Sequence, residues 1–251
     1  MKKKLQIKLI QLLALAGILL IWQWAAAKTG NWPSPVMVLY GLGGMITDGS
    51  LLKHSVASLF RVTCGFYLAF SAAIPLAILL GRWPAGEKTL NGLVQFLRPI
   101  SPLAWIPLAI TWFGIGEPPA IFLIFIASFF PLLLPVIKAV QQIRTLYFQI
   151  AANLDFSLTD KLRYIIIPAI APEIVTATRV ALGVSWLVVV AAEMIAVKTG
   201  LGYLIIEARN TLRLDLVIAA MIVIGLIGLL LDHLVLRIER IRLLEWKIGA
   251  K

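Results

Sequence analysis

Six stretches of the chain are too apolar and too long for a water-soluble fold. They run over roughly 9–27, 55–80, 97–116, 119–140, 173–197 and 214–236, and the last includes "DLVIAAMIVIGLIGLLLDHLVL", residues 215–236. A membrane-spanning helix needs ~20 mostly apolar residues, and within hydrocarbon only helices and closed barrels satisfy their own backbone polar groups. The fold class that follows is all-α: a polytopic membrane protein with six transmembrane helices, forming a single transmembrane domain over 1–251. Pro99, Pro102 and Pro107 interrupt the third run, which still reads as a span because membrane helices tolerate proline. The first run follows three lysines like a signal peptide, but its apolar part exceeds an h-region of about 7–15 residues. It reads as a retained first span.

Only 14% of the 251 residues are charged, yet the net charge is +11. Nucleic acid and an anionic membrane surface could both explain such a balance. The placement decides, because the basic residues fall beside the apolar runs rather than on one amphipathic face, which excludes a nucleic-acid partner and points to membrane lipid. With both termini cytoplasmic, 17 of the 23 basic residues lie inside against 6 outside, as the positive-inside rule requires. The lone Cys64 excludes an internal disulfide. The outer connection contains Ser34-Pro35 followed by Val36, Val38, Leu39 and Leu42, a pattern for a short amphipathic helix on the outer surface.

The inner connection 141–172 is far longer than the ~2–8 residues that join helices in a bundle. Tyr147, Ile150, Ala151 and Leu154 recur at helical spacing, and Ser157-Leu158-Thr159-Asp160 has the form of a capping box. Two helices are expected, the second running from Leu158 to Ile167 and ended or kinked by Pro168, with Pro172 and Glu173 opening the next span. Leu154 and Phe156 at the turn are expected to be exposed, so the loop reads either as a docking element for a soluble partner or as a connector on lipid headgroups.

The segment 149–168 resembles the cytoplasmic loop signature of permease subunits from binding-protein-dependent ABC importers, a Glu-Ala-Ala, three residues, Gly, nine residues, Ile-x-Leu-Pro pattern. Ala151, Ile165, Ile167 and Pro168 fall in register, while Gln149, Ile150 and Asp155 stand where Glu, Ala and Gly are usual. Asp tolerates the left-handed backbone such a turn needs. The blocks "LRPISPLAWIPLAITWFGIGE", "TRVALGVSWLVVVAAEM" and "TGLGYLI" are similar to the nitrate, sulfonate and taurine branch of that family. The resemblance implies an ATP-driven importer in a bacterial inner membrane, with a second permease copy, two cytoplasmic ATPases and an extracytoplasmic binding protein as partners. ATP and Mg would sit on the ATPases, and this chain would bind no cofactor. The loop would be the coupling helix, carried by Gln149, Ile150, Ala151, Ala152, Leu154, Asp155, Phe156, Ser157 and Leu158. The implied solute is a small anion of the sulfonate, taurine, nitrate or bicarbonate class, with a thiamine precursor or a riboflavin-like molecule as the alternative.

Enzyme chemistry finds no support in the residues. "GRWPAGEKT" at 81–89 approaches a phosphate loop, but Glu87 separates Gly86 from the lysine and Pro84 removes an amide. His54 and His233 belong to opposite membrane faces, so no metal or catalytic site joins them. Ionisable and polar residues in spans are the candidates for a translocation path: Arg61, Ser71, Trp105, Ser128, Thr178, Arg179, Ser185, Trp186 and Glu193. Arg61 and Glu193 lie at similar depth and are expected to pair, or Arg61 and Arg179 are expected either to bias the path toward anions or to snorkel to the headgroups. A self-sufficient channel or ion-coupled carrier would need an acid at mid-depth, and the sequence places none there.

Overall fold

The computed structural model describes residues 2–29 and 32–239. Arg240, Arg242, Lys247 and Lys251, counted above on the inner side, lie outside the described residues, as do the side chains of Lys2, Lys3, Lys4, Lys8 and Lys88. Helix α1 (Lys2–Thr29) covers the first expected span, and α2 (Pro35–Thr47) is the short outer helix. The Ser34 hydroxyl caps α2 by accepting from the Met37 N–H at 3.3 Å, and Pro35 occupies the first turn, where a missing N–H costs nothing. Helices α3 (Ser50–Arg82), α6 (Glu117–Gln141), a continuous 39-residue helix over Leu158–Ala196, and α11 (Leu214–Glu239) are long and apolar enough to cross a membrane.

The third expected span, 97–116, is not one helix. Gly81 sits against Val140 at one end of α6, while the Gly116 N–H reaches the Ala196 carbonyl at the other end (3.1 Å). The chain between them therefore runs back along the length of α6, but in pieces: α4 (Pro84–Leu97), a 3-10 turn over Pro102–Trp105, and α5 (Ile106–Phe113). Proline is the reason. Pro102 begins the 3-10 turn, capped by the Ser101 side chain, and Pro107 lies in the first turn of α5. Each opens a new element where its missing N–H is harmless rather than sitting inside an old one. At eight residues α5 is about 12 Å long, less than half of the hydrocarbon thickness.

Pro168 also behaves differently from expectation. It neither ends the loop helix nor separates it from the fifth span. Helix α8 (Leu158–Lys161) passes through a π-helical turn at Leu162–Ile166 into α9 (Ile167–Ala196). The wider turn takes up the hydrogen-bond mismatch, so Pro168 falls in the first turn after it and Pro172 with Glu173 lie inside the helix. A further helix, α10 (Leu201–Asn210), occupies the outer connection after α9.

The core is built by α3, α6 and α9. Ala69, Ala73 and Ala77 on α3 face Leu132, Leu133, Val136 and Val140 on α6 and Ile170, Ala177 and Ala181 on α9, all almost fully buried. Small residues are what let membrane helices approach closely, since lipid supplies no hydrophobic drive between them. Gly65 marks one close approach of α3 to α6: a Cβ there would lie 2.7 Å from Ile124 and 2.8 Å from the Ile121 carbonyl. Gly65→Ala is therefore expected to lower the thermal midpoint of the purified chain, by a penalty of about 1–3 kcal/mol. Gly43→Ala, with nothing within 4 Å of the added methyl, should leave the midpoint unchanged or raise it.

Candidate functional site

The inner loop folds as a rigid turn between two helices. Helix α7 (Thr145–Asn153) ends in two carbonyls capped in the Schellman manner, with the Phe156 N–H on Ala151 O at 2.9 Å and the Asp155 N–H on Ala152 O at 3.2 Å. Asp155, at the position where glycine is usual, adopts φ +50°. The capping box is complete: the Asp160 N–H donates to Ser157 Oγ at 3.2 Å, and the Ser157 N–H donates to Asp160 Oδ2 at 3.1 Å. Ala151 is buried, and the Arg82 guanidinium lies 3.7 Å from the Phe148 ring centre, fastening α7 to the inner end of α3.

The apolar stripe of α7 divides, with Ala151 inward and Tyr147, Ile150 and Leu154 outward. Leu154 is 61% exposed and Leu158 86%. Gln149, Ile150 and Ala152 are exposed as well, whereas Phe156 is half-buried, its ring 6.2 Å from that of Tyr164. The exposed apolar pair at the turn is thus Leu154 with Leu158, not Leu154 with Phe156. Phe156 turns in because the residue following the left-handed position packs back on its own helices.

At the outer end, Arg61 is fully buried and its five N–H groups are all taken. Glu117 accepts from Nε and, at 2.7 Å, from one terminal nitrogen; Thr199 Oγ1 accepts from the same nitrogen at 2.5 Å. The other terminal nitrogen donates to Glu193 Oε1 at 2.5 Å and to the Thr199 carbonyl at 2.8 Å. Glu193 Oε2 receives the Ser58 hydroxyl and the Gly202 N–H, each at 2.9 Å. His54 Nδ1 accepts from the Gly200 N–H at 3.0 Å, and Ser58 Oγ from the Leu201 N–H at 2.9 Å. Gly200, at φ +109°, has no room for a side chain, because the Glu193 carboxylate occupies that space. Arg61 and Glu193 do pair, and in this arrangement Arg61 has no N–H left for a solute.

A cavity of about 1020 Å³ opens between α4, α6 and α9 in their cytoplasmic half. Its walls are mostly apolar, with Gln95, Arg98, Lys138, Gln142, Glu173 and Thr176 as the polar groups. None of the nine path candidates lines it. Ser128 and Ser185 are buried and bonded to each other at 2.5 Å in the α6–α9 interface. Trp186 donates its indole N–H to the Ile224 carbonyl at 3.0 Å, and Trp105 packs against α5 and α6. Ser71 is exposed on α3 and Thr178 is half-buried on α9. Arg179 forms a two-point pair with Asp232 at 2.6 and 3.0 Å. Asp232 lies about 27 Å along α11 from its start, toward the far end of a hydrocarbon core ~30 Å thick rather than at mid-depth.

Sequence reasoning missed Glu117, Thr199, Ser58 and the cavity's Arg98 and Lys138. Glu117 closes the block "LRPISPLAWIPLAITWFGIGE", and the short "TGLGYLI" block was the available signal for Thr199.

Residues 73–241 match the family described as binding-protein-dependent transport system inner membrane component. An ABC transporter permease protein from Methanocaldococcus jannaschii is 42% identical over 92% of this chain and 88% of its own. The taurine transport system permease TauC of Escherichia coli is 37% identical over 79% of this chain and 72% of its own. The nitrate import permease NrtB of Synechocystis is 37% identical over 90% and 86%. Among solved structures, a chain of the MetNI methionine ABC transporter, in inward-facing conformations, superimposes with a TM-score of 0.63 at 17% identity, covering 73% of this chain and 92% of that one; at that identity the likeness concerns the fold alone. A multi-pass helical chain with no catalytic constellation among its described residues and this set of relatives belongs to the ABC transporter permeases of the binding-protein-dependent inner membrane component family, in the nitrate, sulfonate and taurine group.

Proposed function

We propose that two copies of this chain form the pore of an importer in the cytoplasmic membrane and that two ATPases on its inner face grip the 141–168 loop. The observation that carries this reading is the outward-turned Leu154 and Leu158 on a turn held rigid by a Schellman motif and a capping box. Two large aliphatic side chains held in water are unfavourable by roughly 1.5–3 kcal/mol each relative to burial. A groove on a soluble partner would recover that, and the rigid turn lets force pass without a flexible joint.

The solute is proposed to be a small anion of the sulfonate, taurine, nitrate or bicarbonate class, delivered by an extracytoplasmic binding protein and crossing through the α4–α6–α9 cavity. Support comes from the names of the taurine and nitrate relatives and from the two cations, Arg98 and Lys138, against one acid, Glu173, on the cavity wall. ATP and Mg belong to the partner ATPases.

The double substitution Leu154→Asp with Leu158→Asp is expected to abolish co-purification of the ATPase and reduce ATP-dependent uptake at least tenfold, while the chain still inserts and folds. Retained ATPase binding would overturn the reading. The turn itself is open to a graded test. Asp155→Gly should preserve or strengthen assembly, whereas Asp155→Val should weaken it by ~1–2 kcal/mol, the cost of forcing a β-branched residue into the left-handed region; ATPase titration against each variant measures the difference.

A further inference from the structure

The groove between α6 and α9 is occupied unequally along its length. Its cytoplasmic half is the large cavity, and its outer half is filled by the 3-10 turn and α5. Ala109 of α5 is fully buried against Ala120, Leu123, Ala192 and Ala196, with Trp105 and Ile106 alongside. Beyond α5 the chain turns through Gly114 at φ +76° and Gly116 at φ +143°, a backbone only glycine adopts without strain, and the next residue is Glu117. Two tethers hold this corner: the Gly116 N–H on Ala196 O, and the two-point contact of Glu117 with Arg61.

The tethering of Arg61 is unsymmetrical. Glu193 is fully buried and bonded to Ser58 and Gly202 besides Arg61, so it has nowhere to go. The Glu117 side chain is 48% exposed and its carboxylate could take water in exchange. Arg61 would keep Glu193 and both Thr199 contacts if Glu117 left, so one bond of the cluster can open while the cation stays paired.

We propose that α5 is the outer plug of the α6–α9 groove and that Glu117 is the positioning residue that latches it to Arg61, the opening of the latch exposing the groove to the outer side. The inference rests on the reading that solute passes through this groove. A role limited to the helix dipole of α6 makes a different prediction, because Glu117→Asp keeps the charge at the helix start but loses the reach of a two-point contact with Arg61.

The test uses the assembled importer, with its ATPases, in proteoliposomes without nucleotide. In a Cys64→Ala background, Ala109→Cys reports access to the plug through its rate of reaction with a membrane-impermeant maleimide added on the outer side. Ala120→Cys, facing the same contact from α6, serves if Ala109→Cys fails to assemble. Labelling should be slow with Glu117 in place and rise about tenfold or more in both Glu117→Gln and Glu117→Asp, the change expected when a charge-assisted contact is lost. Unchanged labelling in Glu117→Gln, or wild-type labelling in Glu117→Asp, would overturn the latch. Uptake in the same vesicles separates the two readings: faster labelling with unaltered transport upholds the latch and removes the solute path from this groove.

Discussion

A buried arginine has five N–H groups and no water to satisfy them, so everything near Arg61 is arranged around that demand. Breaking one partner of such a buried pair typically costs about 3–5 kcal/mol, which exceeds what any single apolar contact nearby supplies. Meeting the demand requires a carboxylate from α6, another from α9 and both oxygens of Thr199, and these come from three separate parts of the chain. The consequence reaches past the cluster. Because Glu193 must point at Arg61, the chain after α9 has to pass directly over that carboxylate, and Gly200 is the residue that lets it do so. Helix α10 begins just beyond that crossing and packs against α9 and α11, and α11 in turn packs against α2.

The loop and the cluster sit at opposite ends of the same two rods. Helix α3 runs from Arg61 to Arg82, whose guanidinium rests on Phe148 of α7. The 39-residue helix runs from the capped start at Leu158 to Glu193 and Ala196. A long helix is stiff along its axis, and the irregularities in this one, the π turn at 162–166 and Pro172, lie near its loop end. Two continuous helices thus join the proposed grip surface at one end to an ionic cluster at the other. A displacement of α7 and α8 by a partner would act on the α3–α9 relation, which is the relation that Arg61 and Glu193 fix.

Much of the architecture was legible in the apolar runs and the capping box, because each of these depends on local sequence. Asp155 is an example: its short polar side chain tolerates the left-handed turn, and the backbone uses it so. The prolines were misread for a physical reason. Sequence shows where an N–H is missing but not whether the position is the inside of a helix or its first turn. Pro107 proved to be the latter, as did Pro168 once the π turn had reset the helix, whereas Pro131 and Pro135 lie inside α6 without ending it. The candidate path residues fared differently again. Ser128 and Ser185 read as polar lining, yet two hydroxyls facing each other across a helix interface satisfy one another and leave nothing for a solute. Pairing across 57 residues of sequence leaves no local mark.

The two halves of the α6–α9 groove also differ in what holds them. The outer half is sealed by alanines, and an alanine methyl withdrawn from a contact gives up only about 0.8 kcal/mol of burial. Small side chains make a tight seal by letting backbones approach, but they make a weak one in energy. On the latch reading, the charged contact beside α5 adds to the packing of Ala109, Ile106 and Trp105 a hold of a different kind. That division would suit a moving part: the packing decides the fit of the closed state, while a contact that can exchange with water decides how often it opens. The cytoplasmic half follows the opposite logic. There Pro131 and Pro135 each lack the N–H that would serve the carbonyl four residues back, those of Ala127 and Pro131, and all three residues line the cavity. Backbone of that kind is tolerated at membrane depth where it borders protein or a water-filled space rather than lipid, which is why α6 can turn its proline face to the cavity and its alanine face to α5.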